Sequence, residues 1–176
     1  MENLAREHLG VFYKEADSAR AQYEHLAKNI FLLPWIATVD AFQHWVYSHP
    51  DHSNAERNEY WNELMERFNG GIDYTGYEHA LKYRWHAQIH IFERPFYYIE
   101  YGIALLGALQ VWRNSKINKA EAVQNYKLAL SKGGSMSIPE LFETAGIRFE
   151  FSASTIEPLM DIVGAEMKRL RDIELG

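Results

Sequence analysis

The run His90-Ile-Phe-Glu-Arg-Pro-Phe-Tyr-Tyr-Ile-Glu-Tyr-Gly-Ile-Ala104 decides how this chain is read. Pro95 presets its own φ and lacks an N–H, so it marks a break and re-aims the chain from Phe96 onward. The apolar spacing predicts one helix from Tyr77 toward Phe92 and a second from Phe96 to about Arg113. Tyr97 lies four residues before Tyr101 and Tyr98 lies three before it, so several phenols gather near one helix face. His90 comes just before the break. Imidazole and phenol donors that converge suit a developing oxyanion, because their dipoles are in place before the charge appears. The plainer alternative is that these tyrosines only pack. On the same helix Gly102, Ala104, Gly107 and Ala108 form a small-residue face that lets another backbone come close.

Helical signals continue in both directions. Leu4 to Glu15 is loosely helical, weakened by Gly10. Asp17 or Ser18 is the expected cap of a helix carrying Tyr23, Leu26, Ile30 and Phe31. Pro34 is expected to kink or interrupt it, and the helical period resumes from Trp35 to Val46. Tyr47 to Ser53 reads as a loop. Ser53 or Asn54 then starts a short helix that Asn69-Gly70-Gly71 closes. Downstream, Asn114-Ser115-Lys116 reads as a link. Lys119 to Ser131 reads as an amphipathic helix closed by Gly133-Gly134. Ser137-Ile-Pro-Glu140 caps a short helix stopped by Gly146, Ile147 to Phe151 reads as extended, and Ser154 to Glu174 is a last helix. The expected fold is all-α, with residues 1–176 as a single helical domain.

Composition narrows the function classes. The 176 residues are 47% hydrophobic and 24% charged, which is globular and not disordered composition. The net charge of -6 argues against an electrostatic grip on nucleic acid. Cysteine is absent, which excludes disulfides, thiolate metal sites and cysteine nucleophiles. The longest apolar stretch, Ile103 to Trp112, is about half of the ~20 residues a spanning helix needs, and it contains Gln110. The first residues carry acidic side chains and no apolar core of a signal peptide, which predicts a cytoplasmic protein that is not bound to membrane. An aromatic fraction of 14% with 11 tyrosines points to a polar-lined cavity or an interface, since a buried phenol needs a partner.

Phosphate-cradling glycine loops and nucleophile elbows are missing, and so is His-Glu-x-x-His. His86 and His90 lie four apart on the expected helix with Glu93 on an adjoining face, which is half of a helical metal site. The alternative is two histidines in an aromatic seam, partnered by carbonyls or phenols. Gly133-Gly134-Ser135 reads as a helix C-cap and turn.

Three segments together carry a resemblance. Leu33-Pro-Trp-Ile-Ala-Thr-Val-Asp-Ala-Phe-Gln-His-Trp-Val-Tyr47, then His90 through Tyr101, then Gly133-Gly134-Ser135 with Ile138-Pro-Glu-Leu-Phe-Glu-Thr-Ala-Gly-Ile147, resemble in order the C-terminal part of oligoendopeptidase F. These are zinc oligopeptidases related to thimet oligopeptidase. The resemblance implies a mostly helical catalytic domain with a deep channel for short peptides. It implies a zinc held by the two histidines of His-Glu-x-x-His and by a later glutamate, the motif's own glutamate activating water. Met1-Glu2-Asn3-Leu4 is similar to the segment that supplies the third ligand, which makes Glu2 the candidate. His90 matches the substrate-side histidine and Tyr101 one of the tyrosines, with Tyr97 and Tyr98 competing for the other.

The resemblance also implies that the metal motif lies before Met1. The chain is then the C-terminal section of such an enzyme, an incomplete catalytic domain that by itself neither holds zinc tightly nor cleaves peptides. Its partners are short peptides and the missing N-terminal portion. From a different class, the alternative is a non-catalytic helical interaction domain that self-associates.

Overall fold

A computed structural model describes residues 1–68 and 70–176. The helices in chain order are α1 (Glu2–Ala5), α2 (Glu15–Ser48), α3 (Asn54–Phe68), α4 (Glu78–Lys82), α5 (His90–Glu93), α6 (Ile99–Ile117), α7 (Lys119–Lys132), α8 (Ile138–Thr144) and α9 (Ala153–Leu175). Tighter 3-10 turns cover Arg6–Val11 and Arg84–Ala87. The fold is all-α: no strand occurs among the described residues, and Ile147 to Phe151 runs without a ladder. No described helix is long and apolar enough to cross a membrane. The backbone groups into two compact units. One is Asn29–Ile103 and the other joins Met1–Lys28 to Ala104–Gly176, the boundaries falling inside α2 and α6.

The unit of residues 29–103 is built around Phe42, Trp61, Leu64, Met65 and Trp85. Phe42 and Trp61 meet edge to face at 5.1 Å, and Trp35 meets Trp61 likewise at 5.7 Å, an arrangement favoured by the ring quadrupoles. Buried indoles need acceptors. Trp61 Nε1 donates to the Leu81 carbonyl and Trp85 Nε1 to Asn58 Oδ1, both at 3.0 Å. α3 starts with a reciprocal cap, in which the Ser53 N–H donates to Glu56 and the Glu56 N–H to Ser53 Oγ.

The other unit buries Leu109, Trp112, Leu159, Val163 and Leu170. Gly107 brings α8 against α6: a Cβ there would stand 3.1 Å from the Phe142 ring, so the small residue admits a side chain where the sequence suggests another backbone. Gly102, in the 29–103 unit, does the same for Ile36 of α2, at 3.2 Å. Buried Gln110 pairs with one residue's backbone in both directions, donating to the Arg148 carbonyl and accepting from its N–H, each at 3.0 Å. This docks the extended 147–151 stretch on α6 without a sheet. α8 carries the expected box between Ser137 and Glu140, and Asn118 caps α7 through the Glu121 N–H.

Several expectations are corrected. α2 begins at Glu15, so Asp17 and Ser18 lie in its first turn rather than capping it, and Asp17 pairs with Arg20. α2 also runs on through Pro34 as one helix of 34 residues, because Leu26, Ile36, Val39 and Phe42 bury fully on both sides of the proline. Burial of that extent outweighs a local cost of roughly 3 kcal/mol. α6 starts at Ile99 and extends through Asn114-Ser115-Lys116 to Ile117, with Ser115 Oγ returned to the Trp112 carbonyl. The closure of α3 at Asn69 lies outside the described residues, while Gly70 and Gly71 adopt the positive φ that a helix exit requires.

The largest correction concerns residues 77–93. They form not one helix but α4, a 3-10 turn and α5. The Leu81 carbonyl is engaged by the Trp61 indole, and Gln88 leaves the helical region at ψ 89°.

Candidate active site

All the site residues in this part of the chain belong to the 29–103 unit. Because Gln88 interrupts the helical path, His90 opens a new turn of its own. That turn is clamped from α2. Gln43, only 1% exposed, directs its amide nitrogen at the carbonyls of His90, Ile91 and Arg94, at 3.3, 3.5 and 3.2 Å. Two of these carbonyls also accept from the backbone, His90 from the Arg94 N–H and Arg94 from the Tyr97 N–H, so one buried side chain ties α5 to the turn that follows it.

The chain then reverses at Pro95 and Phe96. Phe96 sits at φ 57°, the left-handed region that costs a residue with a Cβ roughly 1–2 kcal/mol. Its ring is held at 4.8 Å by His44 and at 5.1 Å by Tyr47, both on α2. The reversal brings Tyr97, Tyr98 and Tyr101 around the His90 imidazole. The ring centroids of Tyr98, Tyr101 and Tyr97 stand 4.9, 5.9 and 6.2 Å from that of His90. Tyr101 lies edge-on to both other phenols, at 5.5 Å from Tyr97 and 5.2 Å from Tyr98.

The three phenols are not equivalent. Tyr98 packs into a buried cluster with Ile36 and Val39 and is 9% exposed. Burial pushes its phenol up, against a hydrogen bond from the Trp35 indole. Tyr97 and Tyr101 are 39% and 42% exposed. A hydrogen bond shared with the Tyr97 hydroxyl, with partial desolvation and neighbouring charge, raises the Tyr101 pKa above the ordinary 10.0. Both outer phenols therefore face solvent beside the imidazole, and Tyr101 keeps its proton at neutral pH. The His90 ring is set by Gln88, whose amide nitrogen stands 2.6 Å from Nδ1, while Gln88 Oε1 accepts from Trp35 Nε1 at 3.1 Å.

Gln88, Gln43 and Phe96 are the residues that the sequence reading misses. A glutamine carries no motif: Gln43 acts on a turn far along the chain, and Gln88 is oriented by Trp35, 53 residues earlier.

Glu2 lies in the other unit, exposed in the first turn of α1. Beside it, buried Asn3 pairs with His25 Nε2 at 3.0 Å, and burial and Arg6 hold His25 below its ordinary value. His86 sits on the 3-10 turn against Trp85, ring centroids 4.0 Å apart. With the helix between His86 and His90 broken, the four-residue register that would align them is gone. Among the described residues no three His, Cys, Asp or Glu side chains come together as a metal site. The chemistry that His90 and the exposed phenols offer is hydrogen bonding.

The profile of peptidase family M3 matches residues 1–160. Three solved structures are similar to the chain. An oligoendopeptidase F assignment solved at 3.1 Å shares 29% identity over 86% of this chain, with a TM-score of 0.80. PZ peptidase A with an inhibitor shares 31% over 89%, at 0.76. A protein of Bacillus anthracis strain Ames, also assigned as an oligoendopeptidase F, shares 27% over 96%, at 0.73. In each case the match spans 27% of the other protein's length. No curated protein sequence matches the chain significantly.

Proposed function

From the premise that the chain belongs to peptidase family M3, we propose that it is the section of a zinc oligoendopeptidase that supplies hydrogen-bond donors to the scissile carbonyl of a short peptide. The observation that carries this reading is the convergence of His90, Tyr97 and Tyr101 on one solvent-facing place, with both phenols exposed. When water attacks a peptide carbonyl, negative charge grows on its oxygen. Donors already aimed there lower the barrier, because no solvent has to reorganise. His90 and Tyr97 are the donors we assign to that oxygen. Tyr101 braces Tyr97 and is within reach to share the task. The burial of Tyr98 supports assigning it to packing. In this reading Glu2 is a ligand of the zinc, and the remaining ligands and the base come from the part of the enzyme this chain does not span.

The test is assembly. The chain is combined with the His-Glu-x-x-His-bearing portion of an M3 peptidase and zinc, and hydrolysis of a quenched fluorogenic peptide is monitored. The reading requires activity that depends on both the chain and the metal. Zinc-dependent hydrolysis that is indifferent to the chain contradicts it.

A second reading, a non-catalytic helical surface that self-associates, draws on one feature of the unit that includes residues 104–176. Val11, Phe12, Ile117 and Leu130 stay exposed there, and Leu130 borders an apolar cavity of about 350 Å³ with Leu4, Phe142 and Ile147. Sedimentation tests it, since a monomer over a wide concentration range removes this alternative.

A further inference from the structure

We infer that Gln88 is a positioning residue that holds His90 in the tautomer with its proton on Nε2, and that Trp35 fixes which end of the Gln88 amide faces the imidazole. The use made of that proton rests on the oligopeptidase reading. The tautomer itself is a property of this chain.

The indole has one role only. Trp35 Nε1 is a donor with no acceptor capacity, so the atom of Gln88 facing it at 3.1 Å is the amide oxygen. The Tyr98 oxygen, the other partner of the same N–H, is likewise an acceptor. With its oxygen committed, Gln88 presents its NH2 group to the other side, where His90 Nδ1 stands at 2.6 Å. An amide nitrogen offers protons and no lone pair. Nδ1 must therefore accept, and a neutral imidazole that accepts at Nδ1 carries its proton at Nε2. Which nitrogen is protonated is thus decided two groups away, by a tryptophan on α2.

The same helix also fixes the backbone of this turn. Gln43 lies two turns beyond Trp35 and holds the carbonyls of His90, Ile91 and Arg94. α2 therefore sets the ring through Trp35 and Gln88 and the main chain through Gln43. The outcome is an N–H donor at Nε2, held on the ring that Tyr97 and Tyr101 surround. A ring free to exchange tautomers would spend part of its time with a lone pair at Nε2, which repels an oxyanion.

The experiment reads the ring nitrogens of His90 directly, by two-bond 15N–1H correlation of the 176-residue chain at a pH where the ring is neutral. The wild type is expected to show an unprotonated Nδ1 and a protonated Nε2. Gln88→Glu keeps an acceptor for the indole but turns the group facing Nδ1 into an acceptor, so a proton should appear on Nδ1. Gln88→Met removes both partners and should give a mixture of tautomers. A protonated Nδ1 in the wild type overturns the inference, and so does an Nδ1 that stays unprotonated in folded Gln88→Glu. The wild-type spectrum decides even where a variant fails to fold.

In the zinc-loaded assembly the same two variants should lose roughly ten- to a hundredfold in kcat at little change in KM. Unchanged kcat alongside a switched tautomer refutes the positioning role. An inactive wild-type assembly would count against the oligopeptidase reading alone, because the ring nitrogens report on Gln88 in either case.

Discussion

The rings of Tyr97 and Tyr101 stand one helical turn apart, 5.5 Å between centroids with planes at 87°, and their hydroxyls share a hydrogen bond. That bond, with desolvation and the neighbouring phenols and Glu100, makes Tyr101 hold its proton more tightly than an isolated phenol does. As pH rises through 10.0, Tyr101 should still be protonated when an ordinary tyrosine has half ionised. Tyr97→Phe removes the first cause of the shift and should bring Tyr101 back toward the ordinary value. NMR titration of ring-labelled tyrosine checks this, and a wild-type Tyr101 that ionises at or below the ordinary value refutes it.

Two glycines in helix interiors should respond with opposite signs. At Gly107 of α6 a Cβ would meet the Phe142 ring at 3.1 Å and Ile147 at 3.5 Å, so Gly107→Val overpacks the α6–α8 contact. The expected loss is about 1–3 kcal/mol. At Gly164 of α9 nothing lies within 4 Å, so Gly164→Ala gains helix propensity without a clash and should stabilise by about 0.5–1 kcal/mol. Denaturant unfolding of the two variants measures both.

How far these features are legible in the sequence depends on whether their cause is local. Capping is local chemistry. Ser53 with Glu56, Ser137 with Glu140 and Asn118 with Glu121 announce the starts of α3, α8 and α7 within four residues. The break of residues 77–93 is not local. It arises from the Trp61 indole taking the Leu81 carbonyl and from Gln43 tying α5 to the turn that follows it, and neither partner shows in the periodicity of that segment. Pro34 misleads for the same reason: the burial of Ile36, Val39 and Phe42 keeps α2 continuous. At the site, residue type and spacing point to His90, Tyr97 and Tyr101. Gln88 becomes meaningful only once Trp35, 53 residues earlier, is seen to orient it.

Lys116 on α6 joins Glu7 at 3.0 Å and Glu166 of α9 at 3.3 Å. The bond from Arg169, with Lys116 behind it, holds Glu166 below its ordinary 4.5. Burial works the other way at Glu7, but Lys116 and Lys119 outweigh it. Carboxylates depressed in the folded state contribute stability above pH 4.5, and that contribution is lost as pH falls through their lowered folded values. Lys116→Met should therefore cost about 0.5–1 kcal/mol at neutral pH and almost nothing at strongly acid pH. Burial raises Asp40 and gives it the opposite sign, so the difference between wild type and variant isolates the ion pairs. A cost that is constant across the acid range contradicts this assignment.

Gln110→Leu conserves volume but removes both hydrogen bonds to the Arg148 backbone. The expected loss is about 1–2 kcal/mol. Amide hydrogen exchange should rise at Arg148 in particular, and unchanged protection there would show that the extended stretch is held by its apolar contacts.

The central claim is that His90 and the exposed phenols act on the transition state while Tyr98 packs. Steady-state peptide hydrolysis by the zinc-loaded assembly, comparing Tyr97→Phe with Tyr98→Phe and with His90→Ala, tests it most directly. The account predicts that Tyr97→Phe and His90→Ala each lower kcat by about a hundredfold or more with KM nearly unchanged, and that Tyr98→Phe stays close to wild type. Full turnover in His90→Ala, or a loss confined to Tyr98→Phe, would contradict it.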